Sequence, residues 1–178
     1  MSKSVLLSIR PRYCELIANG KKAIEVRKTR PKLETPFKCY IYCTQGSNHL
    51  CLMQNSDGVN LIACCNWKTA LPFGGSISNG KVIGEFVCDF IVPMFKDSGG
   101  IYSGRVELAC LSESDIHRYA NGKQLNGWHI SDLQIYDKPM ELSEFHEPTM
   151  PTGLRYEDDA IKRPPESWRY VEEYDGKR

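Results

Sequence analysis

Three residues close together in the chain, Lys22, Glu25 and Arg27, have types and spacing suited to chemistry. The stretch from Lys22 to Lys28 alternates with a period of two. On a strand, Ile24 and Val26 take one face while Glu25 and Arg27 share the other. Facing a cleft, Arg27 could hold a phosphate or the acceptor edge of a base through two parallel hydrogen bonds. Lys22, at the start of the strand, could hold a phosphate or oxyanion as an ammonium, or act as a general base as a free amine. The same spacing also fits a plain ion pair on a solvated face, worth only ~0–1 kcal/mol.

The elements that must position these residues can be read on either side. Val5–Ile9 is an apolar run that suits a strand. Pro11 then fits the first turn of a helix reaching about Asn19, with Gly20 placed to close it. Phe37–Cys43 is a third strand, continuous enough to be central. Residues 44–60 are polar and read as an insertion or a long hairpin loop, and Leu61–Cys65 as a further strand. Lys81–Val92 is the strongest strand, with Gly84 marking a bulge or a close backbone approach. Ser112 with Asp115 begins a helix that Gly122 ends. Trp128–Tyr136 is extended again until Pro139, and Trp168–Glu172 is a last short strand. The proline-rich excursion at about 146–165 reads as loop. Many short strands with few helices imply a mainly β fold, a small barrel with inserted helices at its edge, in a single domain over residues 1–178.

Charge is unevenly spread. Residues 1–38 carry ten lysines and arginines against three acids, whereas the whole chain has a net charge of only +1. A basic segment on an otherwise acidic chain attracts a polyanion locally. The eight cysteines lack the CxxC and HxxxH spacings of a metal site, and none has a partner pattern that marks a nucleophile. They read as free thiols packed as small hydrophobes. No apolar run approaches the roughly 20 residues of a membrane span, and the first residues do not form a signal-peptide core. The expectation is a cytoplasmic protein without metal or cofactor.

The run Leu7-Ser8-Ile9-Arg10-Pro11, followed by Ile17 to Lys28, resembles the ASCH domain family. Gly20, Lys22, Glu25 and Arg27 match its Gly-x-Lys-x-x-Glu-x-Arg element one for one. Gly80–Phe86 looks like the family's later strand. The stretches Gly127–Leu133, Tyr136–Pro139 and Arg163–Trp168 look like a longer subgroup associated with phage and prophage genomes. The resemblance implies a PUA-like fold with a cleft between barrel and first helix. It also implies binding of RNA or another nucleic acid, including modified nucleosides or nucleotides.

Carried onto this chain, the resemblance makes Lys22, Glu25 and Arg27 the ligand-facing residues, and Trp128 the exposed ring that stacks on an unpaired base. Some small family members are amidohydrolases on acylated cytidine, and others are credited with ribonuclease activity. The alternative is therefore a metal-independent hydrolase using Lys22 and Glu25. In the amidohydrolases a threonine stands where this chain has Glu25, so their hydroxyl-assisted step does not transfer. The third carboxylate has only Glu85 and Glu113 as candidates. His129 reads as a hydrogen-bonded histidine, and Ser8 as a cap or edge residue rather than a nucleophile.

Overall fold

Every residue from Ser4 to Ile9 is buried, so the first strand is covered on both faces. This is β1 (Lys3–Ile9) in a computed structural model that describes residues 2–54, 60–66, 76–95, 106–149 and 159–174. It pairs in parallel with β3 (Phe37–Cys43). A parallel pair needs a crossover connection. Here that connection is α1 (Pro11–Ala18), β2 (Ile24–Arg27) and a loop, so the motif residues lie on the stretch the topology demands.

Two hairpin pairs follow: β4 (Asn48–Gln54) with β5 (Asn60–Asn66), and β6 (Ser76–Ile77) added to β4. Next come β7 (Lys81–Cys88), β8 (Ile91–Met94), a 3-10 turn at Val106–Ala109 and α2 (Glu113–Ala120). β9 (Leu125–His129), β10 (Ser131–Glu141) and β11 (Trp168–Glu172) complete the order. The strands form a five-stranded sheet β10-β7-β3-β1-β11 and two three-stranded sheets, β2-β9-β8 and β5-β4-β6.

The fold is mainly β with two α-helices among the described residues, as the sequence implies. The sheets do not join into one closed barrel among those residues. β7 and β8 are broken at Asp89-Phe90, where the continuous reading of 81–92 gives way, and β9 and β10 are broken at Ile130. At these breaks the pairing passes from the five-stranded sheet to the β2-β9-β8 sheet.

Three apolar clusters hold these layers. The main one takes Val5, Leu7 and Ile9 from one face of β1, Cys39, Ile41 and Cys43 from β3, and Cys14 and Ile17 from α1. Leu6, Tyr40 and Val171 on the opposite face meet Phe145, just before the excursion, and Ile161 within it. Ile24 and Val26 pack with Ile116 and Ala120 of α2, which commits one face of β2 to a third cluster.

Ser112 caps α2, its Oγ accepting from the Asp115 backbone N–H at 3.1 Å, and Asn121 ends the helix in left-handed geometry ahead of Gly122. Gly84 meets the expectation of a close approach, because a Cβ there would lie 2.3 Å from the Gln134 carbonyl oxygen. Pro139 does not stop its strand. It falls inside a register shift between Ile135 and Met140, where a residue without an N–H removes no ladder bond. Residues 44–60 contain β4 and the start of β5. Residues 150–158 of the 146–165 excursion lie outside the described residues, and a bridge joins His146 at its start to Ala160 beyond them. No helix among the described residues is long and apolar enough to cross a membrane.

Candidate nucleotide-binding cleft

The ends of β1 and β3, with β2, α1, α2 and residues 164–167 before β11, line a cleft of about 750 Å³. β2 delivers Glu25 and Arg27 to it because its alternate residues, Ile24 and Val26, are committed to α2 on the other side. Lys22 arrives just before β2, after Gly20 turns the chain at a φ of +69°. That left-handed turn suits glycine and brings the lysine back toward the helix it has left.

The three motif residues come together as a chain of charges. Lys22 Nζ lies 3.5 Å from Glu25 Oε2, and Arg27 Nη1 lies 3.3 Å from Glu25 Oε1. Their residue exposures are 2%, 5% and 8%, which excludes the solvated-face alternative. Lys22 also donates to the Ala109 carbonyl at 2.7 Å and sits over the Tyr13 ring, 5.4 Å from its centroid. Arg27 Nη2 donates to the Ser8 carbonyl at 2.8 Å. Glu25 Oε2 receives no hydrogen bond, and Arg27 Nε finds no acceptor. One carboxylate therefore serves two buried cations, and the floor carries a net positive charge.

The rim adds groups that sequence reasoning missed. Arg10 and Lys28 are exposed cations at the cleft, while Tyr13, Tyr42 and Tyr119 give it aromatic walls. Asp115 and Arg118 reach it from α2 as an ion pair with each other. The bond from Ser112 Oγ to Asp115 Oδ2, followed by the charge of Arg118, holds the Asp115 carboxyl below its usual range. Arg10 carried a signal, being next to the Pro11 that opens α1. Tyr119 carried none, since it comes from a helix ninety-odd positions farther along the chain.

Trp128 is a correction. It is fully buried, in edge contact with Phe37 at 5.7 Å and tilted against Trp168 at 5.9 Å. Across β2 and β9 it stands directly opposite Glu25, on the side that faces the main core. A ring with both faces covered offers no base a surface to stack on. His129 pairs with Asp89 at 2.6 Å and stacks on Phe90, away from the cleft.

Neither carboxylate considered as a third partner reaches the site. Glu85 is held by Lys38 at 3.0 Å and by the Tyr136 hydroxyl at 2.6 Å, and Glu113 is exposed at the start of α2. Ser8 is not a helix cap. Its hydroxyl donates to the Pro165 carbonyl at 2.6 Å and helps close the cleft wall. Behind the wall, burial pushes the Cys14 thiol far above its ordinary range, and neighbouring Cys43 and Glu25 add to the effect. All eight cysteines are free thiols, and no group of metal-ligating side chains occurs among the described residues.

This arrangement of sheets and helices matches solved structures. The ASCH structure from Zymomonas mobilis aligns over 95% of this chain and 87% of its own, with a TM-score of 0.58 at 18% identity. This chain has the ASCH fold. A tyrosine-to-phenylalanine variant of the same Zymomonas protein aligns over 96% of this chain and 91% of its own, with a TM-score of 0.59 at 19% identity. A serine-to-alanine variant aligns over 95% and 88%, also with a TM-score of 0.59, at 18% identity. No protein-family model and no curated protein matches the chain. In this ASCH fold the charged chain Lys22–Glu25–Arg27 forms the floor of the cleft, with Arg10 and Lys28 at its mouth.

Proposed function

We propose that the cleft binds nucleic acid, taking an unpaired base or modified nucleotide of a single-stranded RNA. The observation that carries this reading is the unbalanced floor, two buried cations to one buried carboxylate beneath a cleft of about 750 Å³. That volume lies within the roughly 300–1,000 Å³ usual for ligand pockets. Lys22 and Arg27 are tied to main-chain carbonyls and to Glu25, so they act from below as a fixed positive field. Arg10 and Lys28 meet phosphate at the rim, and the tyrosine walls offer faces for a base.

Fluorescence anisotropy of a labelled single-stranded RNA tests this, with the wild type, Arg10→Ala and Arg27→Ala at low and physiological salt. Saturable binding that weakens with salt and falls in both variants is the expected result. A wild-type protein that binds no RNA at low salt overturns the reading for unmodified RNA.

A second reading, a hydrolase acting on an acylated cytidine or on RNA, draws on the 3.5 Å approach of Lys22 to Glu25 inside a cleft. Against it, the position of the amidohydrolase threonine holds Glu25, and of the other carboxylates lining the cleft, Asp115 and Glu166, Asp115 is already engaged by Arg118 and Ser112. Product formation from an acylated cytidine, lost in a folded Lys22→Ala variant, would favour it over simple binding.

A further inference from the structure

The loop between β2 and β3 continues the cleft outward as a basic strap. Its first residue, Lys28, lines the cleft and places its ammonium 5.0 Å from the Tyr119 ring centroid. Beyond it the side chains alternate. Pro31 is buried and Leu33 packs against the main core, whereas Arg30, Lys32 and Glu34 are exposed. The strap is also pinned from beneath by β11. Trp168 Nε1 donates to Thr29 Oγ1 at 3.0 Å, and the Lys32 backbone N–H donates to the Tyr170 hydroxyl at 2.7 Å. The backbone that carries its charges is therefore anchored, so side-chain freedom rather than loop freedom is what a ligand must restrict.

Among the described residues, those charges are not consumed internally. Arg30 and Lys32 form no ion pair among the described residues. Lys3 adds a further cation beside them, over the Tyr170 ring at 5.7 Å. Arg30, Lys32 and Glu34 also border a depression of about 620 Å³, whose only acid among the lining residues is Glu34. Exposed cations leading away from a positively charged cleft are complementary to a linear polyanion and serve no purpose for an isolated nucleoside.

We propose that a single nucleic-acid strand seated in the cleft leaves it past Lys28 and runs along the strap, its phosphates meeting Arg30 and Lys32. This rests on the reading of the cleft as a nucleic-acid site, and it makes the ligand a strand of several nucleotides rather than a free nucleoside. The two exposed side chains can be removed together in Arg30→Ala/Lys32→Ala without touching the cleft floor or the Lys32 N–H bond to Tyr170.

The experiment compares a labelled dinucleotide, hexanucleotide and decanucleotide RNA against the wild type, Arg30→Ala/Lys32→Ala and Arg27→Ala. Affinity for the wild type is expected to rise with length. The strap variant should bind the dinucleotide like the wild type and lose the gain. Loss of two phosphate contacts lowers the salt slope by about 1.4, or roughly sevenfold less weakening between about 50 and 200 mM salt. If Arg27→Ala loses decanucleotide binding while the strap variant matches the wild type, the strap proposal is overturned and the cleft reading stands. Decanucleotide binding lost in the strap variant but untouched by Arg27→Ala overturns the cleft reading, and with it a path from cleft to strap. A wild type that binds none of the three overturns both.

Discussion

Replacing Glu25 with Gln keeps the shape of the cleft floor and removes its only buried negative charge. The carboxylate stands 3.5 Å from Lys22 and 3.3 Å from Arg27, and all three residues are at least nine-tenths buried. At an effective dielectric of about 20, each contact corresponds to roughly 5 kcal/mol of attraction before desolvation is counted. Desolvation offsets much of that in the intact chain, but it is not recovered when one partner is neutralised. Two cations then face each other without compensation, and loss of a buried partner costs about 3–5 kcal/mol. For a chain of this length that corresponds to a melting temperature lower by roughly 6–20 °C. Urea denaturation followed by far-UV circular dichroism, with the m-value checked for constancy, measures it.

The same substitution raises the positive charge of the floor, so inorganic phosphate should stabilise Glu25→Gln more than it stabilises the wild type. Stability and anion affinity thus move in opposite directions. In the double variant Glu25→Gln/Arg27→Gln the losses should fall short of the sum of the singles, because one stranded cation has been removed. A Glu25→Gln protein within about 0.5 kcal/mol of the wild type would refute the reasoning, since that is what an ordinary surface substitution gives.

Trp128→Ala should destabilise the fold by about 3–5 kcal/mol through loss of core packing, and RNA should leave the buried emission of Trp128 unchanged in a variant where Trp67 and Trp168 are replaced by Phe. Ser112→Ala removes the cap of α2 and should cost about 1 kcal/mol by urea denaturation. Burial, followed by the charge of Asp89, pushes the Cys88 thiol up to about 12, and burial with Glu15 pushes Cys64 up to about 11. Both are therefore protonated thiols at pH 8. Mass spectrometry after iodoacetamide treatment should find Cys64 labelled slowly there and faster as the pH approaches 11, with rapid labelling at neutral pH as the contrary result.

Local signals carried the elements that depend on local physics. Pro11 and Gly20 bracket α1, Ser112 caps α2, and the apolar run Cys39–Cys43 reflects a strand covered on both faces at the centre of its sheet. Alternation also placed Glu25 and Arg27 on one face of β2. It could not say that this face is buried, because the cover comes from β1, the Ala109 turn and residues 164–167, far away in sequence. Trp128 was misplaced for a related reason. Its neighbours in sequence do not reveal that cross-strand register sets it beside Glu25 on the core side. Pro139 was read from its own chemistry, whereas the irregularity in β10 that contains it, four residues opposite one of β7, removes the conflict.

The bond from Lys22 to the Ala109 carbonyl spans 87 positions of chain, and the one from Arg27 to Ser8 spans 19. The charged floor is thus built from the crossover of a parallel strand pair and a turn synthesised much later. Long-range closures of this kind carry the largest entropic cost in folding and form late. During synthesis the basic amino-terminal segment emerges long before Ala109 can accept from Lys22. A nascent chain can offer scattered positive charge to RNA at that stage, but the cleft with its compensated buried ions exists only once residues 106–120 have docked. Protection of the Arg27 and Lys22 environment in pulse-labelled refolding would therefore serve as a clock for the final assembly step, distinct from the earlier appearance of strand structure.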